Sequence, residues 1–275
     1  VIATALGPAL AEGDVERFDD AVSRYLSFFA APLVETVIPI EGAVVAMLGC
    51  RTGFPETVLL DKLPGAVIHG VDPSEAALVV ARRRAEALGE AQVHYGVATQ
   101  LPTGLAGGAF THAIALHPVL TAERRRAWLG ELKRVLVPRG QGLLAMPLRG
   151  SFPELYDMLR EFTLRHELTD LGQQVDRAAS TRPNLETATE ECEDAGFSEV
   201  DIAVEMLALS FATGRELLES AAFELLVLPE VLAELELDAA TTERATAYLQ
   251  DAVGKYWSDG AFDLTVNVGC ISLRT

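Results

Sequence analysis

Residues 44–56, VVAMLGCRTGFPE, constrain this chain more than any other stretch, because a short apolar run stops at a glycine and leads directly into helix-compatible sequence. Val44, Val45, Ala46, Met47 and Leu48 leave neither strand face for water. That pattern belongs to a strand covered by helices on both sides of a parallel sheet. Gly49 and Gly53 then let the backbone turn and bring its N–H groups towards a nucleotide-like ligand. About twenty residues further on, VIHGVDPS ends a second apolar strand at Asp72, the spacing at which a carboxylate receives ribose hydroxyls.

The remaining pattern extends this start into an α/β chain. Residues 14–40 place Phe18, Val22, Tyr25, Leu26 and Phe29 at helical spacing. Pro55 sits near the start of a helix, where its missing N–H costs little. Strands are expected over residues 66–71, near 92–95, over 110–116 and over 142–146, with Pro73 and Ser74 opening one helix and Thr121 capping another. Each strand is expected to be followed by a helix, so right-handed crossovers predict a doubly wound parallel sheet. Beyond residue 151 the alternation loosens into a helix over 152–166, a polar loop over 171–184, a helix over 185–195 and a strand over 199–211. In FDLTVNVGCISL, Phe262, Leu264, Val266, Val268 and Cys270 alternate with Asp263, Thr265, Asn267 and Gly269, which predicts an antiparallel final strand. The expected organisation is an N-terminal helical cap over 1–40 and an α/β domain over 41–275, with a helical insertion near 213–257.

Charge and cysteine content narrow the function classes. A net charge of −18 argues against a nucleic-acid partner, which needs a basic surface to displace counterions. The clusters Arg82, Arg83, Arg84 and Arg124, Arg125, Arg126 fall on helices and read as solvated faces. Cys50, Cys192 and Cys270 are scattered and suggest neither a disulfide framework nor a metal site. No apolar run approaches the roughly 18 residues that span a membrane, so a soluble, cytoplasmic protein is expected.

The motif VVAMLGCRTG, followed by GVDPSEAALVVARRRA, YGVATQLP and LKRVLVPRGQGLLAMP, resembles the class I S-adenosylmethionine-dependent methyltransferases, in particular the small-molecule type 11/25 group. The resemblance implies a Rossmann-like sheet with S-adenosylmethionine as cofactor. It places Met47, Gly49, Cys50, Arg51 and Gly53 at the donor turn, Asp72 and Pro73 at the ribose, and Val97 and Ala98 at the adenine. It also implies that His117 is the candidate base and that the N-terminal helix covers the pocket, where the alternative is a docked helix that only completes the core; Tyr25 and Tyr156 are candidate pocket residues on the sequence alone. Three positions depart from the family pattern. Met47 replaces an acid, Arg51 replaces the middle glycine, and Val97 replaces an acid that reads the adenine amine. The expected function is therefore a methyltransferase-like protein with a degenerate donor site, acting as a regulatory or scaffolding partner. The alternatives are an active small-molecule methyltransferase, or a pocket kept for another ligand such as an anionic metabolite drawn to Arg51. Residues 216–237 carry more apolar side chains than one helical stripe can hold, so the segment either packs into the core or closes over a pocket, or it meets a homodimer or other protein partner.

Overall fold

The computed structural model describes residues 4–88, 92–118, 121–235, 237–258 and 260–275. In chain order the elements are β1 (Thr4–Ala5), α1 (Glu12–Ala21), a π-helical turn (Val22–Leu26), α2 (Ser27–Glu35), β2 (Val44–Leu48), α3 (Phe54–Lys62), β3 (Val67–Asp72), α4 (Glu75–Ala87), β4 (Gln92–Val97) and β5 (Gln100–Leu101). There follow β6 (Phe110–Leu116), α5 (Ala122–Val135), β7 (Leu136–Pro147), α6 (Pro153–Arg165), α7 (Thr169–Thr181) and α8 (Leu185–Asp194). The chain ends with β8 (Glu199–Phe211), α9 (Gly214–Glu219), a second π-helical segment (Phe223–Val227), α10 (Leu228–Leu232), α11 (Ala239–Tyr256) and β9 (Phe262–Arg274).

The main sheet has seven strands in the order β4-β3-β2-β6-β7-β9-β8. β4 through β7 run parallel, and β9 lies antiparallel between β7 and β8. This is the expected parallel sheet closed by an antiparallel pair. Because β2 is apolar throughout, it feeds two cores. Val45 and Met47 join one with Tyr25, Phe29 and Tyr156, while Ala46 and Leu48 join the other with Trp128 and Cys192. Local signals set several helix starts: Ser74 accepts from the Ala77 N–H, Thr121 from the Arg124 N–H, and Asn184 forms a capping box with Thr187.

The structure corrects several expectations. β4 is not followed by a helix: residues 98–109 hold Pro102, Gly104, Gly107 and Gly108, and the chain passes through β5 and turns directly into β6. Residues 171–184 are no loop, because most of them lie in α7, which Val175 and Ala178 anchor in the core. The polar majority of that segment concealed its short apolar stripe. The helix expected over 14–40 is instead α1, the π-helical turn and α2, and it ends at Glu35.

The basic clusters are not wholly solvated. Arg125 is buried against Glu191 with two hydrogen bonds of 2.8 and 2.9 Å, and Arg84 reaches the carbonyl and hydroxyl of Thr52. The apolar surplus of residues 216–237 is taken up by the chain itself. Leu217, Phe223, Leu226, Val227 and Val231 are all buried, because the break at Ser220 and the π-helical geometry turn successive side chains inward. Leu218, Leu225, Leu228 and Leu232 are partly buried against the same core. All three cysteines are free and buried. Among the described residues, no helix is long and apolar enough to cross a membrane.

Candidate functional site

A cleft opens where β2, β3 and β6 end, at the C-terminal edge of the parallel strands where open α/β sheets hold their ligands. Gly49, Arg51, Asp72 and Pro73 line it, and Phe18 of α1, Trp128 of α5 and Leu225 of the second π-helical segment close it. The turn after β2 is held down by the Gly49 and Cys50 N–H groups, which both donate to the Val71 carbonyl. Gly49 has φ 69° and Gly53 has φ 74°, and between them Arg51 takes φ 49°. For a residue with a Cβ, this left-handed conformation costs roughly 1–2 kcal/mol.

Arg51 dominates the cleft. Its guanidinium donates to the Leu116 carbonyl at 3.1 Å and the His117 carbonyl at 2.7 Å, and it sits 5.6 Å from the centre of the Phe18 ring. The side chain thus crosses from the end of β2 to the end of β6. Among the described residues it has no carboxylate within ion-pair distance. Burial pulls its pKa below the ordinary guanidinium value, and the charge of Asp72 works against that shift.

Asp72 is 3% exposed, and both its oxygens are engaged. One accepts the Arg51 N–H at 2.9 Å and the other the Ser74 N–H at 2.9 Å. Burial raises its pKa, and these two hydrogen bonds oppose the rise.

The other predicted positions fall outside the cleft. Met47 is 1% exposed within the apolar core. Cys50 is buried too, and desolvation pushes its thiol well above the usual range. Gly53 serves packing, since a Cβ there would meet the Tyr95 hydroxyl at 2.7 Å and the Ala81 Cβ at 3.0 Å. Val97 pairs with Asp72 across the β3–β4 ladder but is 53% exposed, and Ala98 donates its N–H to the Asp72 carbonyl.

His117, with φ 46°, is fully buried. Its Nε2 shares a 2.9 Å hydrogen bond with the Tyr25 hydroxyl, and its Nδ1 has no partner. Burial, then the Arg51 charge, lowers its pKa to about 3, so the ring is neutral at physiological pH and a poor proton acceptor.

Three charged groups near the cleft escaped the sequence reading. Arg182 and Glu230 form a buried ion pair, in which Arg182 also donates to the Tyr156 hydroxyl at 2.6 Å. Burial raises the Glu230 pKa against the pull of Arg182, and its Oε2 has no partner. Glu56, in the first turn of α3, is fully buried beside Tyr95. Desolvation pushes it up to about 7. An acid three residues after a glycine turn gave no signal beyond an ordinary helix start.

S-adenosylmethionine, the cofactor that the fold implies, does not fit this arrangement. The cleft holds about 40 Å³, room for a few water molecules at roughly 10–15 Å³ each. Arg51 crosses the space beside the donor turn, and its guanidinium is held there by the Leu116 and His117 carbonyls.

The fold and the turn-and-aspartate crevice define the class I methyltransferase architecture. Residues 45–140 match the family model described as a methyltransferase domain. Solved structures with the same fold include phosphoethanolamine N-methyltransferase 2 of Haemonchus contortus, in complex with phosphomonomethylethanolamine and S-adenosylhomocysteine. It is 14% identical, with a TM-score of 0.57 over 97% of this chain and 58% of its own. This chain therefore spans less than two thirds of that protein. The YcgJ protein of Bacillus subtilis is 13% identical, with a TM-score of 0.57 over 90% of this chain and 98% of its own. Geranyl diphosphate methyltransferase in complex with SAM is 16% identical, with a TM-score of 0.52 over 98% and 94% of the two chains. No curated protein matches the sequence.

Proposed function

We propose that this chain is a methyltransferase-fold protein whose donor site is closed, so that it transfers no methyl group and serves recognition, as a regulatory or scaffolding protein. The observation that carries the reading is the Arg51 guanidinium, which lies across the crevice on the carbonyls of Leu116 and His117. Positioning supplies much of the catalysis in a transfer between two bound substrates, and a side chain in the donor's place removes it at the source. Met47 adds to the case, since the position of the family's acid is turned into apolar core.

A second reading, an active small-molecule enzyme in which Arg51 swings aside, draws support from the buried polar groups beside β6. Tyr25, His117, Arg182 and Glu230 are costly to bury, and apolar replacements for an ion pair are often neutral or stabilising. Calorimetry with S-adenosylmethionine and S-adenosylhomocysteine separates the two. The closed-site reading expects no saturable heat up to millimolar ligand, and micromolar binding of either compound refutes it.

A further inference from the structure

The inference rests on the closed-donor reading and asks what the closed cleft can still hold. Its lining carries two groups that only donate hydrogen bonds. Arg51 has its charge unmatched by any carboxylate at ion-pair distance among the described residues, and it uses two carbonyl oxygens as its acceptors. Trp128 is 1% exposed and also lines the cleft, and its indole N–H is buried without an acceptor. An indole nitrogen can donate but never accept, so an orphan there is a missing acceptor. Buried polar groups are ordinarily satisfied, and an exception calls for a water, an ion or a ligand.

The competing negative charge is Asp72. Its two oxygens each accept one backbone N–H, from Arg51 and from Ser74. Arg51 and Arg182 both act on His117 to depress its basicity, while the charges of Asp72 and Glu230 act on Arg51 in the opposite sense. The volume of about 40 Å³ leaves room for a group of a few heavy atoms. A guanidinium presents a planar fork that matches the oxygens of a carboxylate or phosphate, and such charge-assisted bonds are about twice as strong as neutral ones.

We propose that the cleft is an oxyanion site, which takes the carboxylate or phosphate group of a small metabolite onto Arg51, with the Trp128 indole N–H as the second donor. Binding replaces carbonyl contacts of Arg51 by a charged acceptor and supplies the acceptor that the indole lacks. The ligand enters as a substitute for the lost donor and needs no chemistry at the site.

The test is calorimetric titration of the full chain with inorganic phosphate and, separately, acetate, at constant ionic strength set by sodium chloride. The parent is expected to bind at least one of the two saturably. Arg51→Gln is expected to weaken that binding at least tenfold, Arg51→Lys to keep it within about tenfold because the charge remains, and Trp128→Phe to weaken it severalfold. Circular dichroism of each variant verifies that it is folded. The proposal is overturned if the parent binds neither anion saturably, or if folded Arg51→Gln binds as tightly as the parent. Titration of the parent with S-adenosylhomocysteine tests the closed-donor reading separately, so failure of one is distinguishable from failure of the other.

Discussion

Arg51→Gly is the perturbation that bears most directly on why the donor site is closed. Glycine adopts φ near 49° without strain, so the substitution recovers roughly 1–2 kcal/mol. Against this stand two charge-assisted hydrogen bonds to the Leu116 and His117 carbonyls, worth roughly 1.5–3 kcal/mol each in net terms. Water entering the vacated cleft re-solvates both carbonyls and returns part of that loss. The balance is a destabilisation of about 1–3 kcal/mol, read from urea unfolding.

The functional effect has the opposite sign. Removing the guanidinium frees the crevice and removes a cation that repels the donor's sulfonium and ammonium, so S-adenosylhomocysteine and S-adenosylmethionine should both bind at least tenfold more tightly than to the parent. Each factor of ten corresponds to about 1.4 kcal/mol. At a ligand concentration one hundred times Kd, bound S-adenosylhomocysteine adds about 2.7 kcal/mol to the stability of the variant. A melting series with and without ligand therefore shows a shift in Arg51→Gly and none in the parent. Equal ligand shifts in both proteins refute the reasoning, because Arg51 then does not control the site.

Other substitutions test other parts of the structure. Met47→Asp places a carboxylate in apolar core and should cost more than about 3 kcal/mol without creating donor binding; a cost below about 1 kcal/mol, by thermal unfolding, contradicts the burial described above. Glu56 has its pKa raised from 4.5 to about 7, so its contribution to stability is fully present below pH 4.5 and lost as pH rises through 7. Glu56→Gln should therefore abolish that fall between pH 5 and 8 and stabilise the protein at pH 8 by about 2–3 kcal/mol, measured by urea unfolding at both values. Arg182→Met alone strands a buried carboxylate and should cost about 3–5 kcal/mol, whereas Arg182→Met with Glu230→Leu should cost much less; equal losses in a double-mutant cycle exclude the ion pair as the coupling.

Much of the fold was legible because its strands declare themselves locally. β6 and β8 begin and end where the sequence pattern places them, and the antiparallel last strand follows from its alternation. α7 was hidden because two buried residues, Val175 and Ala178, suffice to anchor a helix whose other positions are polar. The strain at Arg51 was also legible, since a residue with a Cβ stands where the family keeps glycine. What Arg51 touches was not, because the Leu116 and His117 carbonyls lie 65 and 66 residues away and carry no side-chain signature. Met47 and Val97 show the limit of reading a site from motif positions. Their backbones stand where the pattern puts them, but one side chain turns into core and the other outward. The Arg182–Glu230 pair joins positions 48 residues apart, and no local periodicity announces a contact of that range.

The N-terminal wall of the cleft is held lightly. β1 and β5 share a ladder of two residue pairs, Thr4 with Leu101 and Ala5 with Gln100. Beyond it, the Leu6 N–H reaches the Thr99 carbonyl at 3.0 Å, and the Ser74 hydroxyl reaches the Leu10 carbonyl at 2.8 Å. So short a ladder is the kind of element that opens at the low end of a protein's range of local unfolding free energies. The Leu6 amide, held by the Thr99 carbonyl beyond that ladder, should exchange with solvent far ahead of the amides in the central strands β2 and β6.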